Sequence, residues 1–265
     1  MATAQPSSGE QHQQGQDAIA AALTASLVAN AWPQFDPNSI QDSLPRLTAA
    51  VMALIRKYGL ASGSLAVSQY RAQRLEAGIA GRPTIMPAEP ASIEEVGKNL
   101  EWATSSLYGQ FTPDDLAAAQ TKVAGVAERL TLDVGRDTII QTAAGDRMAR
   151  GWARVPEPGA CSFCLLLATR EGVYKSAETA GPNQRSARHP TRAGEKFEGD
   201  GEFKVHDHCR CHVEPVFGQY EPTAAVRAAQ MLYKDTPYGN NAAEARNNFR
   251  QALARERAAG NSRFI

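Results

Sequence analysis

All four cysteines of the chain stand in two tight pairs. One is Cys161-Ser-Phe-Cys164. The other is Cys209-Arg-Cys211, at the end of the run HDHCRC that also carries His206, Asp207 and His208. Two thiolates spaced C-x-x-C can turn toward one tetrahedral ion, and the second pair supplies the remaining ligands. Cys161 and Cys164 with Cys209 and Cys211 make a set of four thiolates. His206 with Cys209 makes instead a set of three thiolates and one imidazole, through an H-x-x-C step. His208 and His212 stand close by. The expected ion is zinc. The plainer readings are buried thiols without metal and a redox C-x-x-C, for which no thioredoxin-like strand and helix context surrounds the motif.

The stretch between the two pairs strengthens the metal reading. Residues 176–202 are polar, rich in Gly, Arg and Glu, and without periodicity. Such a segment predicts an exposed loop that has no core of its own, and a metal would clamp its ends.

Catalytic metal chemistry finds little support. A zinc nucleobase deaminase needs H-x-E upstream of its cysteines, and His12 is the sole histidine before Cys161. An HNH-type nuclease is a closer challenger because Asp207-His208 is present, but no histidine follows His212 to serve as the downstream ligand. The motifs H-E-x-x-H, Walker A and G-x-S-x-G are absent. The chain is therefore expected not to be an enzyme, with a metal-dependent nuclease or toxin-like enzyme as the alternative.

Composition sets wider bounds. The 265 residues carry 28 basic and 28 acidic side chains, so the total charge gives no support to binding driven by phosphate attraction alone. No apolar run approaches the length needed to cross a bilayer, and the polar N-terminus does not read as a secretory signal. A reducing cytoplasm is expected, where paired cysteines more often mean metal than disulfide.

Along the chain, residues 1–16 predict a disordered tail. Helical spacing begins at Asp17, with Ile19, Leu23 and Leu27 four apart. Leu47, Val51, Leu54, Ile55 and Tyr58 form a stronger apolar face, with Gly59 as its stop, and another helix runs from Leu65 to near Gly78. Residues 81–91 read as a proline-rich connector. Ser92 with Glu95 forms a capping box, and Thr112-Pro113-Asp114-Asp115 starts a further helix. Trp102 and Trp152 read as core residues. At Gly151 the texture changes to aromatic and β-branched residues with turn prolines. HVEPVF after Cys211 reads as a short strand. Two helical patterns close the chain, the second rich in arginine (Arg246, Arg250, Arg255, Arg257). The default for Arg210 is local pairing, with Asp207 or Glu214. The expected class is α+β. A helical domain over 17–150 is followed by a small zinc-stapled module over 151–220 and a helical segment over 221–265.

GWARVPEPGACSFCLLLATREGVY followed by HDHCRCHVEPVF resembles the MuF-like minor head proteins of tailed bacteriophages, especially those of actinobacterial phages. The match covers about residues 150–218. In that family a C-x-x-C is followed by a loop and an H-x-x-C-R-C signature, here Cys161, Cys164 and His206 through Cys211. The family often has Pro-Asn where this chain has Asp207-His208. The resemblance implies a minor structural protein acting in capsid and portal assembly. It also implies the portal protein and the major capsid protein as partners, contact with packaged DNA, and residence in the virion after assembly in the host cytoplasm.

Overall fold

A computed structural model describes residues 7–169 and 207–264. The loop expected over 176–202 and His206 lie outside these residues. The protein is mostly helical, with one small antiparallel sheet among the described residues and helices at its C-terminal end. Among the described residues no helix is long and apolar enough to cross a membrane. The chain divides into two compact units. The first comprises residues 7–73, 82–138 and 207–210, and the second residues 74–81, 139–169 and 211–264. The division falls within two long helices, after residue 73 and after residue 138, the second ahead of the change of texture at Gly151.

The first unit is built from α1 (Ser8–Ser26), most of α2 (Ile40–Glu76), α3 (Ile93–Thr104) and most of α4 (Pro113–Gly145). Its core joins Leu23 and Leu27 to Leu47, Val51 and Ile55 of α2, Val96 and Leu100 of α3, and Val123, Val126 and Leu130 of α4. The expected tail is corrected here, because α1 begins at Ser8. Ser7 and Glu10 form a reciprocal capping box. After Gly9, the buried stripe of α1 is His12, Gln16, Ala20 and Leu23, with Leu27 just beyond the helix end. Its first two members are polar, so apolar periodicity does not register them. Gln16 is satisfied by Ser62, whose Oγ donates to Gln16 Oε1 at 2.8 Å.

Gly59 does not stop a helix. The two expected helices are one, 37 residues long. Glycine here serves close approach instead. A Cβ at Gly59 would stand 3.0 Å from Val134 Cγ2, and one at Gly63 2.9 Å from Pro87 Cβ. Both lie in the buried stripe of α2 that faces α4. The Thr112 cap is present, and of the capping box expected at Ser92 the hydroxyl half is formed. Ser92 Oγ accepts from the amide of Glu95 at 3.1 Å, and Thr112 exchanges hydrogen bonds with Asp115. Trp102 departs from expectation. It is 55 % exposed, with Lys122 Nζ 5.8 Å from its ring centroid, whereas Trp152 is buried.

The second unit contains β1 (Gly151–Val155), α5 (Ser162–Thr169), β2 (His212–Val216), α6 (Ala224–Asp235) and α7 (Ala242–Ala258). The strands pair antiparallel, with Arg154 opposite Val213 and Val155 opposite His212. In α5 every residue from Cys164 to Thr169 is buried, as expected of a short helix packed on several sides. It packs against β1, α6 and α7. Trp152, Leu165, Leu167, Val213, Val226, Phe249 and Leu253 fill the interior. The arginines of the last helix divide by role. Arg246, Arg250 and Arg255 are exposed, while Arg257 donates to the carbonyls of Ala160 and Phe264 and fastens the C-terminal turn.

Candidate metal centre

Cys161 precedes the first turn of α5, and its Sγ accepts from the amide of Cys164 at 3.4 Å. The sulfur thereby does what a serine or aspartate oxygen does at a helix start. The C-x-x-C spacing places Cys164 one turn into the helix, fully buried. In the second unit the Sγ atoms of Cys164 and Cys211 lie within 4.8 Å of each other. Cys209 is two residues before Cys211, a step that spans at most about 7 Å of extended chain. Alternation along extended backbone puts both thiols of a C-x-C on one side and the residue between them on the other. All four cysteines are free thiols.

Cys164 and Cys211 are thus the buried thiols of the second unit that stand close enough to share a metal ion, and Cys209 precedes Cys211 by two positions in the chain. Cys161 stands outside that group, occupied with the cap. Three thiolates are a soft donor set of the kind that selects zinc or a similar thiophilic ion, and they fit a tetrahedral centre with one further ligand. Arg154 on β1, only 3 % exposed, donates from NH1 to Cys164 Sγ at 3.9 Å.

Asp207, His208 and Arg210 are engaged within the first unit. His208 has φ of 61°, a left-handed backbone that a non-glycine residue adopts at a cost of about 1–2 kcal/mol. The turn carries its ring to α4. There Nδ1 lies 3.0 Å from Glu128 Oε2 and Nε2 lies 3.1 Å from the Thr121 carbonyl. Both partners are acceptors, so whichever ring nitrogen carries a proton has an oxygen to donate to. Gly125 makes room for this turn, since a Cβ there would stand 2.7 Å from His208 Nε2 and 2.8 Å from Asp207 Cβ.

The expected local pairing of Arg210 is corrected. Its Nε donates to Glu128 Oε1 at 2.7 Å, and Asp207 Oδ1 accepts from Arg129 Nε at 3.0 Å. The backbone of the cysteine segment is held as well. Arg136, 3 % exposed, donates from NH2 to the Cys209 carbonyl and from NH1 to Asp133 Oδ1 at 2.7 Å. Burial holds the Asp133 carboxyl above its usual range, against the pull of Arg136 and Arg129. His212 is buried on β2 with its Nε2 3.0 Å from Glu214 Oε1.

Sequence reasoning named the cysteines but missed their supports. Thr121, Gly125, Glu128, Arg129 and Arg136 all lie on α4. One signal was available. Residues 123–136 are an almost unbroken buried stretch that nevertheless contains Glu128 and Arg136, and charges in such a helix need partners from elsewhere in the chain.

Fold and site together define a mostly helical α+β protein whose C-terminal part holds a buried cysteine group suited to a metal. The chain belongs to the VG15 protein family, a family of phage-associated viral gene products, whose model matches residues 3–236. No curated protein and no solved structure matches it.

Proposed function

We propose that this chain is a MuF-like minor structural protein of a tailed-phage head, acting in capsid and portal assembly, and that its cysteine group holds a structural zinc ion. The observation that carries the reading is the close pair of buried thiols Cys164 and Cys211, with Cys209 two positions before Cys211 in the chain, in a member of a phage-associated family. Cys161 or His206 completes the shell. Zinc bound by thiolates in a closed shell ties chain segments together and leaves no open position for a substrate. The protein's role is accordingly architectural, without hydrolytic activity. Its partners are the portal and the major capsid protein, with packaged DNA within reach, and its place is the virion after assembly in the host cytoplasm.

Two measurements test this. Mass spectrometry of purified procapsids and virions should find the chain in both or in one of them, and co-expression with the portal protein should yield a complex. Absence from both particles would remove the structural role. A metal-dependent nuclease activity abolished by His208→Ala would replace it with the enzymatic alternative.

A further inference from the structure

The metal reading does not by itself require the position of Arg154 beside the Cys164 sulfur. This arginine sits on β1 opposite Val213, it is 3 % exposed, and its guanidinium NH1 donates to the Cys164 sulfur. An arginine is rarely buried to this degree without a charged or strongly accepting partner. The placement is local to the second unit. β1 pairs with β2, the strand that begins directly after Cys211, and packs against α5, which carries Cys164. Arg154 therefore stands between the two segments that supply the thiols.

We propose that Arg154 is a positioning residue of the metal centre, a built-in counter-charge that orients the Cys164 sulfur and offsets the negative charge of the thiolate shell. This rests on the zinc reading above. A divalent ion with three thiolates carries net charge −1, and with four it carries −2. In a buried site such charge is unfavourable unless a neighbouring group offsets it. One guanidinium brings the three-thiolate shell to zero or the four-thiolate shell to −1. Its hydrogen bond also fixes the direction in which the sulfur presents its remaining lone pairs. Groups that orient and neutralise ligands in this way typically contribute a factor of about 10–100 in metal affinity. A lysine would keep the charge but lose the planar guanidinium that donates to the sulfur.

The test uses the full chain, loaded with zinc and competed with a chromophoric chelator, with cobalt(II) as a spectroscopic probe of thiolate coordination. Arg154→Met should weaken zinc binding about 10–100-fold and alter the sulfur-to-cobalt charge-transfer band, while Arg154→Lys should recover part of the affinity. Leu253→Ala, a core variant in the same unit, measures the loss that destabilisation alone produces. If Arg154→Met weakens binding no more than Leu253→Ala does at matched stability, Arg154 is a packing residue and the inference is overturned. If the wild-type chain binds neither ion, the zinc reading itself fails. The two failures are therefore distinct.

Discussion

Arg210 donates to Glu128 at 2.7 Å across eighty-two positions of sequence, and the carboxylate that receives it is only 2 % exposed. The same carboxylate meets His208 at 3.0 Å. One buried acid on α4 therefore anchors the two residues that flank Cys209. The arrangement is asymmetric in exposure. Glu128 is buried, whereas the His208 and Arg210 side chains are 47 % and 39 % exposed.

That asymmetry predicts unequal costs for breaking the anchor from its two sides. Glu128→Gln frees two half-exposed groups that water can resolvate, and it should destabilise the fold by about 1–3 kcal/mol. The double variant His208→Ala/Arg210→Ala strands a buried carboxylate and should cost more, about 3–5 kcal/mol. Urea unfolding of the two proteins decides the ordering. A larger loss for Glu128→Gln would mean that the buried acid is not sustained by these partners.

Gly125→Ala should destabilise although alanine favours helix by about 1 kcal/mol. The added methyl meets the His208 ring and Asp207 Cβ, and overpacking of this kind costs about 1–3 kcal/mol. Gly145→Ala is the control, because no atom lies within 4 Å of the Cβ it would add. It should be neutral or mildly stabilising in thermal unfolding.

Three helix starts of the first unit predict acid sensitivity. Glu10 at α1, Glu94 at α3 and Asp115 at α4 are each held below the usual carboxylate range, first by a backbone amide and then by a hydroxyl. A lowered native pKa contributes stability that is present above the unfolded value and is lost as pH falls through the native one. The melting temperature should therefore decline as pH drops below about 4.5. Asp133 acts in the opposite sense. Burial raises it, so the native state favours its protonated form, and its effect moderates the decline. Glu10→Gln with Asp115→Asn should flatten the slope of melting temperature against pH. An unchanged slope would show that these caps are energetically idle.

What the sequence disclosed follows from how local each signal was. The helix starts at Ser92 and Thr112 are legible because a cap and its partner lie three residues apart. The cysteine pairs are legible because C-x-x-C and C-x-C have few other uses together in one chain. The early start of α1 is hidden because its buried stripe opens with His12 and Gln16. The continuity of α2 is hidden because Gly59 and Gly63 face Val134 and Pro87, and a glycine needed for close approach is indistinguishable in sequence from one that ends a helix. The pairings of Asp207 with Arg129 and of Arg210 with Glu128 are hidden for a simpler reason. Each joins residues far apart along the chain, and nothing near Arg210 announces that its partner is distant.

Metal removal should act locally. Cys164 belongs to α5 and Cys211 stands at the start of β2, so an ion held by both sulfurs cross-links elements of the second unit. Binding of this kind couples to folding. Protein purified without chelator should contain about one zinc per chain. Stripping it should speed amide exchange in β1, β2 and α5, while α1 and residues 113–130 of α4 stay protected by their own core. Cys164→Ser and Cys211→Ser should both lose the metal and reproduce that pattern. Cys161→Ser separates two roles at one position. Serine preserves the helix cap that the Cys161 sulfur now provides, so loss of metal in this variant would identify Cys161 as a ligand, and its retention would place the further ligand among His206 to His212. Less than about a tenth of an equivalent of zinc in the wild-type protein, or exchange that accelerates evenly through α1 and α4, would contradict a metal that staples the second unit.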